Sequence, residues 1–280
     1  MTAAAAQSGV RLTDVRKAYG RSDVLQGCTF EIVPGEFTAL MGPSGCGKTT
    51  IINLIAGYES VDAGNIRAGA KTVSSTGWDR LVVFQETALF PWKNTIQNVM
   101  FGLLNRGKSK LAAEAEARDL LAQFGLSGFE SKYPSQLSGG MQRRVELARA
   151  MVNKPEIMLL DEPFRGLDAM TRELMQEYLL KVFEKNPVTT LFVTTEIEEA
   201  IYLADRIVVL SSRPTVVKET ITVDLPRPRK LEMLSTSRFG DIHGQIMESL
   251  LEEAAKAFQL GAEATVDMLR GRAETREVRG

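Results

Sequence analysis

Cysteine is scarce in this sequence. Cys28 and Cys46 are the only two and lack metal-type spacing, so neither a disulfide framework nor a zinc site is implied, and a reducing cytosol fits. An excess of one charge is also missing. Lys plus Arg total 34 against 35 Asp plus Glu, a net charge of -1, which argues against a general nucleic-acid partner. No apolar run is long enough to cross a bilayer: the most apolar window, residues 37–58, is broken by Pro43, several glycines and Lys48. The first ten residues are Ala-rich and polar, without a basic segment leading into an apolar one, and do not read as a signal peptide. Histidine occurs once, at His243.

What is present is ordinary for a globular chain with a sizeable core. Hydrophobic residues make up 44% and charged residues 25% of 280 positions, enough for one large domain with or without an appendage. Residues 10–19 and 24–32 are β-rich and partly alternating around Gly20 and Arg21, which predicts an antiparallel β layer. Residues 36–41 form a short apolar run ending at a glycine, as a buried parallel strand does, and a helix follows over 49–56, stopped by Gly57. Residues 94–151 are mainly helical in pattern, including the Ala- and Glu-rich stretch 111–124. Short strands return at 157–160 and 189–194, with helical spacing over 168–184 between them. Strands separated by helices predict a parallel sheet, and the block at about 87–155 reads as a helical insertion beside it. The segment Pro226-Arg227-Pro228-Arg229-Lys230 reads as a stiff basic linker. Beyond it, residues 241–258 place Ile242, Ile246, Leu250 and Ala254 on one helical face, with His243 at the surface. From about Gly261 the chain is polar and expected to fray. The fold class is therefore α/β, with a domain over 10–226 and a helical extension over 227–280.

Gly42-Pro43-Ser44-Gly45-Cys46-Gly47-Lys48-Thr49 satisfies every fixed position of the P-loop pattern and lies between a strand and a helix, with Thr50 next inside the helix. Glycines let backbone N–H groups turn inward around phosphates. The helix N-terminus adds positive potential, Lys48 supplies a point charge, and Thr49 offers a hydroxyl to Mg²⁺. The apolar strand 157–160 delivers Asp161 at its carboxyl end, where Mg²⁺ would sit, and Glu162 follows as a group able to polarise a water. A thiol at Cys46, near a helix N-terminus and Lys48, is expected to have a lowered pKa.

Leu137-Ser138-Gly139-Gly140-Met141-Gln142 closely resembles the signature sequence of the ABC ATPases, LSGGQ, and stands between the P-loop and Asp161 in the family's order. The resemblance spans roughly residues 10–230. It implies a P-loop cassette: a parallel core sheet, an N-terminal antiparallel β layer, an inserted helical subdomain and a short C-terminal helical tail. It implies an ATP-hydrolysing subunit using ATP and Mg²⁺, working at the cytoplasmic face of a membrane with separate permease subunits. A solute-binding protein would take part indirectly. A second ATPase subunit would offer Ser138 and the amides of Gly139 and Gly140 to the partner's ATP. The resemblance also assigns Gln85, after the strand 81–84, to the loop that touches Mg²⁺ and senses the permease, and Asp168 to the loop crossing the dimer interface. Tyr19 stands where the family puts a ring against adenine, with cross-strand packing as its rival role. Phe90-Pro91-Trp92-Lys93, Asn98-Val99 and Val223-Asp224-Leu225-Pro226-Arg227-Pro228-Arg229 are similar to the nitrate, sulfonate and taurine importer branch, to which bicarbonate importers are akin. Phe90 and Trp92 then either line the groove for a permease helix or pack in the core.

Two positions depart from the family. Thr195 stands where a switch histidine is usual, and no neighbour replaces it. A hydroxyl is shorter than imidazole and carries no charge, and losing one preorganised donor costs on the order of 3 kcal/mol of transition-state stabilisation. Slow hydrolysis at the chain's own site, and a heterodimer with a sister ATPase in preference to a homodimer, are the expectations. A non-hydrolysing nucleotide-gated clamp and a non-transport ABC ATPase are the alternatives. Arg165 occupies a position that is usually small and reads either as interface charge compensation or as a surface residue.

Overall fold

The computed structural model describes residues 8–277, with side chains described for residues 8–257. The opening residues 1–7, read above as lacking a signal peptide, lie outside them. Strands β1 (Val10–Tyr19) and β2 (Ser22–Ile32) pair antiparallel through a turn in which Gly20 takes a left-handed φ of 61°. Strand β3 (Phe37–Met41) is buried at all five positions, as a strand covered on both faces must be. Helix α1 (Lys48–Ala56) ends at Gly57, whose left-handed φ of 80° lets its N–H turn back onto the last carbonyls. Strands β4 (Ala63–Ala68) and β5 (Lys71–Thr72) complete a four-stranded sheet in the order β2-β1-β4-β5.

Strand β6 (Arg80–Val83) leads into the helical block of α2 (Thr95–Asn105), α3 (Lys110–Gln123) and α4 (Gly139–Met151). Strand β7 (Ile157–Asp161), helix α5 (Ala169–Lys185), strand β8 (Thr189–Val193), helix α6 (Ile197–Leu203) and strand β9 (Arg206–Leu210) then alternate. Strand β10 (Val217–Thr222) and the long helix α7 (Ser237–Glu277) close the fold. The second sheet runs β10-β9-β3-β8-β7-β6. Its strands are parallel except for β10, which pairs antiparallel with β9 at the edge. The α/β class, the antiparallel β layer and the helical block beside a parallel sheet are all seen.

Two cores share this sheet, divided by the period-two alternation of its strands. Met158 and Leu160 face the helical side with Phe37, Phe183 and Phe192, while Ile157 and Leu159 face α1 and the four-stranded sheet with Val15, Ile51 and Ile55. The loops at the carboxyl end of β3 and β7 thereby come to one edge of the same sheet. Among the described residues, no helix is long and apolar enough to cross a membrane.

Three expectations about the C-terminal part are corrected. The segment 226–230, expected as a stiff basic linker, is packed against the domain. Arg229 is buried, and its Nη1 donates to the carbonyls of Ile201 at 2.5 Å and Ala204 at 2.6 Å, while Arg227 donates to Leu203 O at 2.9 Å. The two guanidinium groups thus cap the carbonyl end of α6 and order the segment. Helix α7 continues to Glu277, through the stretch from Gly261 expected to fray. Its buried stripe runs Phe239, Ile242, Ile246, Ser249, Glu253, while Leu250 is half-buried and Ala254 exposed. His243 is half-buried and stacks on Phe239. Glu253 is accepted inside because Ser212 donates its N–H to the carboxylate at 2.9 Å and Lys256 donates at 2.7 Å. Burial pushes its pKa up, but Lys256, the Ser212 amide and Lys218 outweigh that and hold it at about 2.

Candidate functional site

The loop between β3 and α1 is built for close approach. A Cβ at Gly42 would meet Cys46 Sγ at 2.9 Å and the Leu210 Cβ at 3.0 Å, and Gly47 adopts φ 113° with Val24 Cγ1 only 2.8 Å from where a Cβ would stand. Pro43 is half-buried, and Ser44 and Gly45 are exposed at the loop's crest. Lys48 folds back over the loop, donating to Gly42 O at 2.9 Å and Pro43 O at 3.0 Å. One turn into the helix, Tyr19 lies beside Thr50. Its hydroxyl donates to Glu59, and its ring is 46% exposed. The phenol pKa is raised, by burial first and by Glu59 next, with the hydrogen bond to Thr50 pulling the other way. The ring therefore stands beside α1 at the surface rather than inside the sheet's core.

The two ends of the parallel strands meet at Thr49, whose Oγ1 donates to Asp161 Oδ2 at 2.9 Å. Asp161 is 7% exposed, and its pKa is raised, chiefly by burial and further by Glu162, against the lowering effect of Thr49 and Lys48. A buried carboxylate with an elevated pKa, faced by a lysine and a hydroxyl, is a candidate functional group. Glu162 is held at φ 44°, a left-handed conformation unusual for a non-glycine residue, by its N–H donating to Val193 O at 3.0 Å. Its carboxylate therefore turns away from the strand toward Arg165, with Nη1 at 2.9 Å. A small cavity of about 60 Å³ beside it is lined by Glu162, Arg165, Thr194 and Thr195. Thr195 is exposed, whereas Thr194 is buried and donates to Glu199 at 2.5 Å, fixing the start of the loop. Gln85 is exposed at the start of the loop after β6, close to Arg165.

Ser138 is the N-cap of α4, its Oγ accepting from Met141 N–H at 3.3 Å. Gly139 is open to solvent, and a Cβ at Gly140 would strike Thr171 Cγ2 at 2.6 Å. Asp168 caps α5 in the same manner, accepting from the Thr171 amide at 3.0 Å and hydroxyl at 2.7 Å. Those two bonds hold its pKa below the usual carboxylate range. Among the described residues, no hydrogen bond joins Ser138, Gly139 or Gly140 to residues 42–50.

Sequence reasoning missed the connection that joins Gln85 to helix α4. Arg143 and Glu146 on α4 are 4% and 2% exposed and form an ion pair of 2.6 Å. Arg143 also donates to Phe84 O at 2.6 Å and to Gln85 O, and Glu146 accepts from Ala88 N–H at 3.0 Å. Burial lowers the Arg143 pKa and raises that of Glu146, each offset by the other. On a helix wheel these look like solvated charges three residues apart. Only the packing of α4 against β6 shows them to be a clamp on the loop 84–88.

The lowered pKa expected at Cys46 is overturned. The side chain is 1% exposed, and burial raises its pKa despite the opposing effect of Lys48. From a loop 169 residues further along, Thr215 donates its hydroxyl to the Cys46 carbonyl. Phe90 and Trp92 differ in burial, the first being half-buried and the second exposed. Phe90 packs on Phe101 at 4.7 Å between ring centres, while Trp92 is 70% exposed and lines a cavity of about 540 Å³ with Ile96, Met100 and Phe101.

The family model described as "ABC transporter" matches residues 25–165. An uncharacterised ABC transporter ATP-binding protein of Methanocaldococcus jannaschii is 43% identical over 239 residues, covering 85% of this chain and 88% of that protein. The taurine import ATP-binding protein of Escherichia coli K12 is 42% identical over 209 residues, 75% of this chain and 82% of that one. Among solved structures, an ATP-binding cassette captured as a dimer in a post-hydrolysis state with ADP and Pi superposes with a TM-score of 0.69. It is 30% identical and covers 78% of this chain and 100% of that chain.

Proposed function

This chain belongs to the ABC transporter family of ATP-binding proteins, with the ATPase activity typical of it, and on that premise we propose that it drives import of a small anion through separate permease subunits. The solute class is nitrate, a sulfonate, taurine or bicarbonate. The observation that carries the reading is the 2.9 Å contact between Thr49 and Asp161, which joins the phosphate loop to the strand end presenting Glu162. Likeness to the taurine import protein and the fragments around Trp92 and Asp224 support the direction and the anion class. We divide the chain into an ATPase domain over 10–226, with a helical subdomain at about 87–155, and an extension over 227–280.

In this reading ATP lies along the loop 42–50. The adenine rests on Tyr19, and backbone amides from Gly42 to Thr50 and the Lys48 ammonium surround the phosphates. Lys48 is held in reserve by two backbone carbonyls that a phosphate, as a charged acceptor, displaces. The donor set suits Mg²⁺: the Thr49 hydroxyl, the Asp161 carboxylate and the Gln85 amide are all hard oxygens. Once bound, the ion would supply charge neutralisation at the transferring phosphoryl group. Glu162 accepts the proton of the attacking water, and Thr195 contributes a hydroxyl where the family usually has a histidine. Ser138, Gly139 and Gly140 cradle the terminal phosphate held by a second ATPase subunit, with Asp168 near the crossing. The free amides at the start of α4 and the dimeric form of the related cassette support this arrangement. Because Thr195 leaves the chain's own site slow while its Ser138 cradle is complete, we favour a heterodimer with a sister ATPase. The exposed Trp92 offers an apolar contact for a permease helix at the cytoplasmic membrane face.

The test is ATP turnover and ATP binding by the full chain and by Glu162→Gln and Ser138→Arg variants. Glu162→Gln should bind MgATP and lose turnover, and Ser138→Arg should lose ATP-driven pairing. A Ser138→Arg protein that still pairs and turns over normally would refute the two-sided site.

A further inference from the structure

Arg165 is not a bystander at the surface. Its Nη1 donates to Glu162 Oε2 at 2.9 Å. With the Gln85 amide turned so that its oxygen faces the guanidinium, Nη1 and Nε also reach that oxygen at 3.2 and 3.1 Å. One planar fork therefore joins two groups from separate loops, the carboxylate after β7 and the amide after β6. The Glu162 side chain is 15% exposed and that of Arg165 62%, so the guanidinium closes the solvent side of an otherwise sheltered carboxylate. An exposed ion pair three residues apart is by itself worth little. A fork that satisfies two acceptors at once fixes their separation, which a lysine cannot do.

The position opposite is occupied by Thr195, which lines the same cavity and brings no charge to it. Arg172 lines that cavity too, but its guanidinium donates to Leu167 O at 3.2 Å and lies 3.8 Å from Glu196. Among the described residues, Arg165 is the cation in contact with the Glu162 carboxylate.

We infer that Arg165 is a positioning residue for ATP hydrolysis, holding Glu162 and Gln85 in register and supplying a fixed positive charge where Thr195 supplies none. The inference rests on Glu162 being the base. It requires that removing the fork slow the chemical step without weakening ATP binding, and that an imidazole at position 195 make the fork less necessary.

The experiment uses the full chain under single-turnover conditions with MgATP, in four forms: wild type, Arg165→Ala, Thr195→His and the double variant, with Arg165→Lys as a fifth. MgATP affinity and retention of MgADP with orthovanadate are measured on each. Arg165→Ala should slow turnover about 10- to 100-fold and lose vanadate trapping, with MgATP affinity kept within about twofold, and Arg165→Lys should recover only part. In the Thr195→His background the loss on removing Arg165 should shrink to about threefold. Turnover of Arg165→Ala equal to or faster than wild type, an equal loss in both backgrounds, or a loss of MgATP affinity that accounts for the slowing would each overturn the inference. Failure of the underlying reading has a different signature: Glu162→Gln would turn over ATP as fast as wild type.

Discussion

Removing the Arg143 side chain charge, as Arg143→Met, tests whether the clamp between α4 and the loop 84–88 holds the fold as the geometry demands. Arg143 and Glu146 are both almost fully buried and 2.6 Å apart. Breaking such a pair from one side costs about 3–5 kcal/mol, because the remaining charge is left in a poor solvent. Here Glu146 would keep the Ala88 amide and a more distant Arg149 at 3.6 Å, and the carbonyls of Phe84 and Gln85 would lose their donor. The lower end of the range, about 3 kcal/mol, is therefore appropriate, which for a domain of this size lowers Tm by about 10 °C. Thermal unfolding followed by circular dichroism reads this directly. Hydrogen exchange at residues 84–88 should accelerate well below Tm, since their anchor is gone. The double variant Arg143→Met with Glu146→Gln should recover part of the loss, because it leaves no unpaired buried charge. A Tm within about 2 °C of wild type, or a double variant worse than the sum of the singles, would show that the pair is not the clamp described.

Three further outcomes follow from burial. Native protein at pH 8 should show no rapidly reacting thiol toward a disulfide reagent, and two after denaturation, because Cys28 and Cys46 are both buried with raised pKa values, that of Cys28 to about 12. A fast native thiol would contradict this. Glu199 is buried and its pKa is raised, mainly by burial, so its contribution to stability is complete below about pH 4.3 and is lost as pH rises through the elevated folded value. Glu199→Gln should therefore gain on wild type in urea midpoint between about pH 5 and 8, and a gap independent of pH would refute the assignment. Arg229→Met should lower stability by about 2–4 kcal/mol by leaving the carbonyls of Ile201 and Ala204 without donors. Urea unfolding checks it, and a loss under about 0.5 kcal/mol would restore the reading of this segment as a basic linker.

Much of the fold was legible because its signals are local. An apolar strand, a glycine-rich turn and a helix in sequence predict β3, the phosphate loop and α1 without long-range information, and the same holds for β7 with Asp161. The α/β class and the family followed from those segments and from Leu137 to Gln142. What the sequence did not reveal depends on distant partners. Cys46 reads as activated from its neighbours, yet it is buried, and its carbonyl is held by Thr215 from 169 residues away. Arg229 reads as solvated in a basic run until α6 presents its free carbonyls. Arg143 and Glu146 look like surface charges until β6 packs over them. Arg165 stood out as an oddity of position, but its role depends on Glu162 and Gln85 lying to either side, a fact of tertiary geometry.

The stripe on α7 that ends in Glu253 has a mechanical consequence. Glu253 grips the amide of Ser212, and three residues on Thr215 grips the carbonyl of Cys46. The short run between them is anchored at both ends, to the tail helix on one side and to the back of the phosphate loop on the other. It has little slack to absorb a shift of either, so a rolling or lifting of the tail by even one hydrogen-bond length pulls on the back of the loop 42–50.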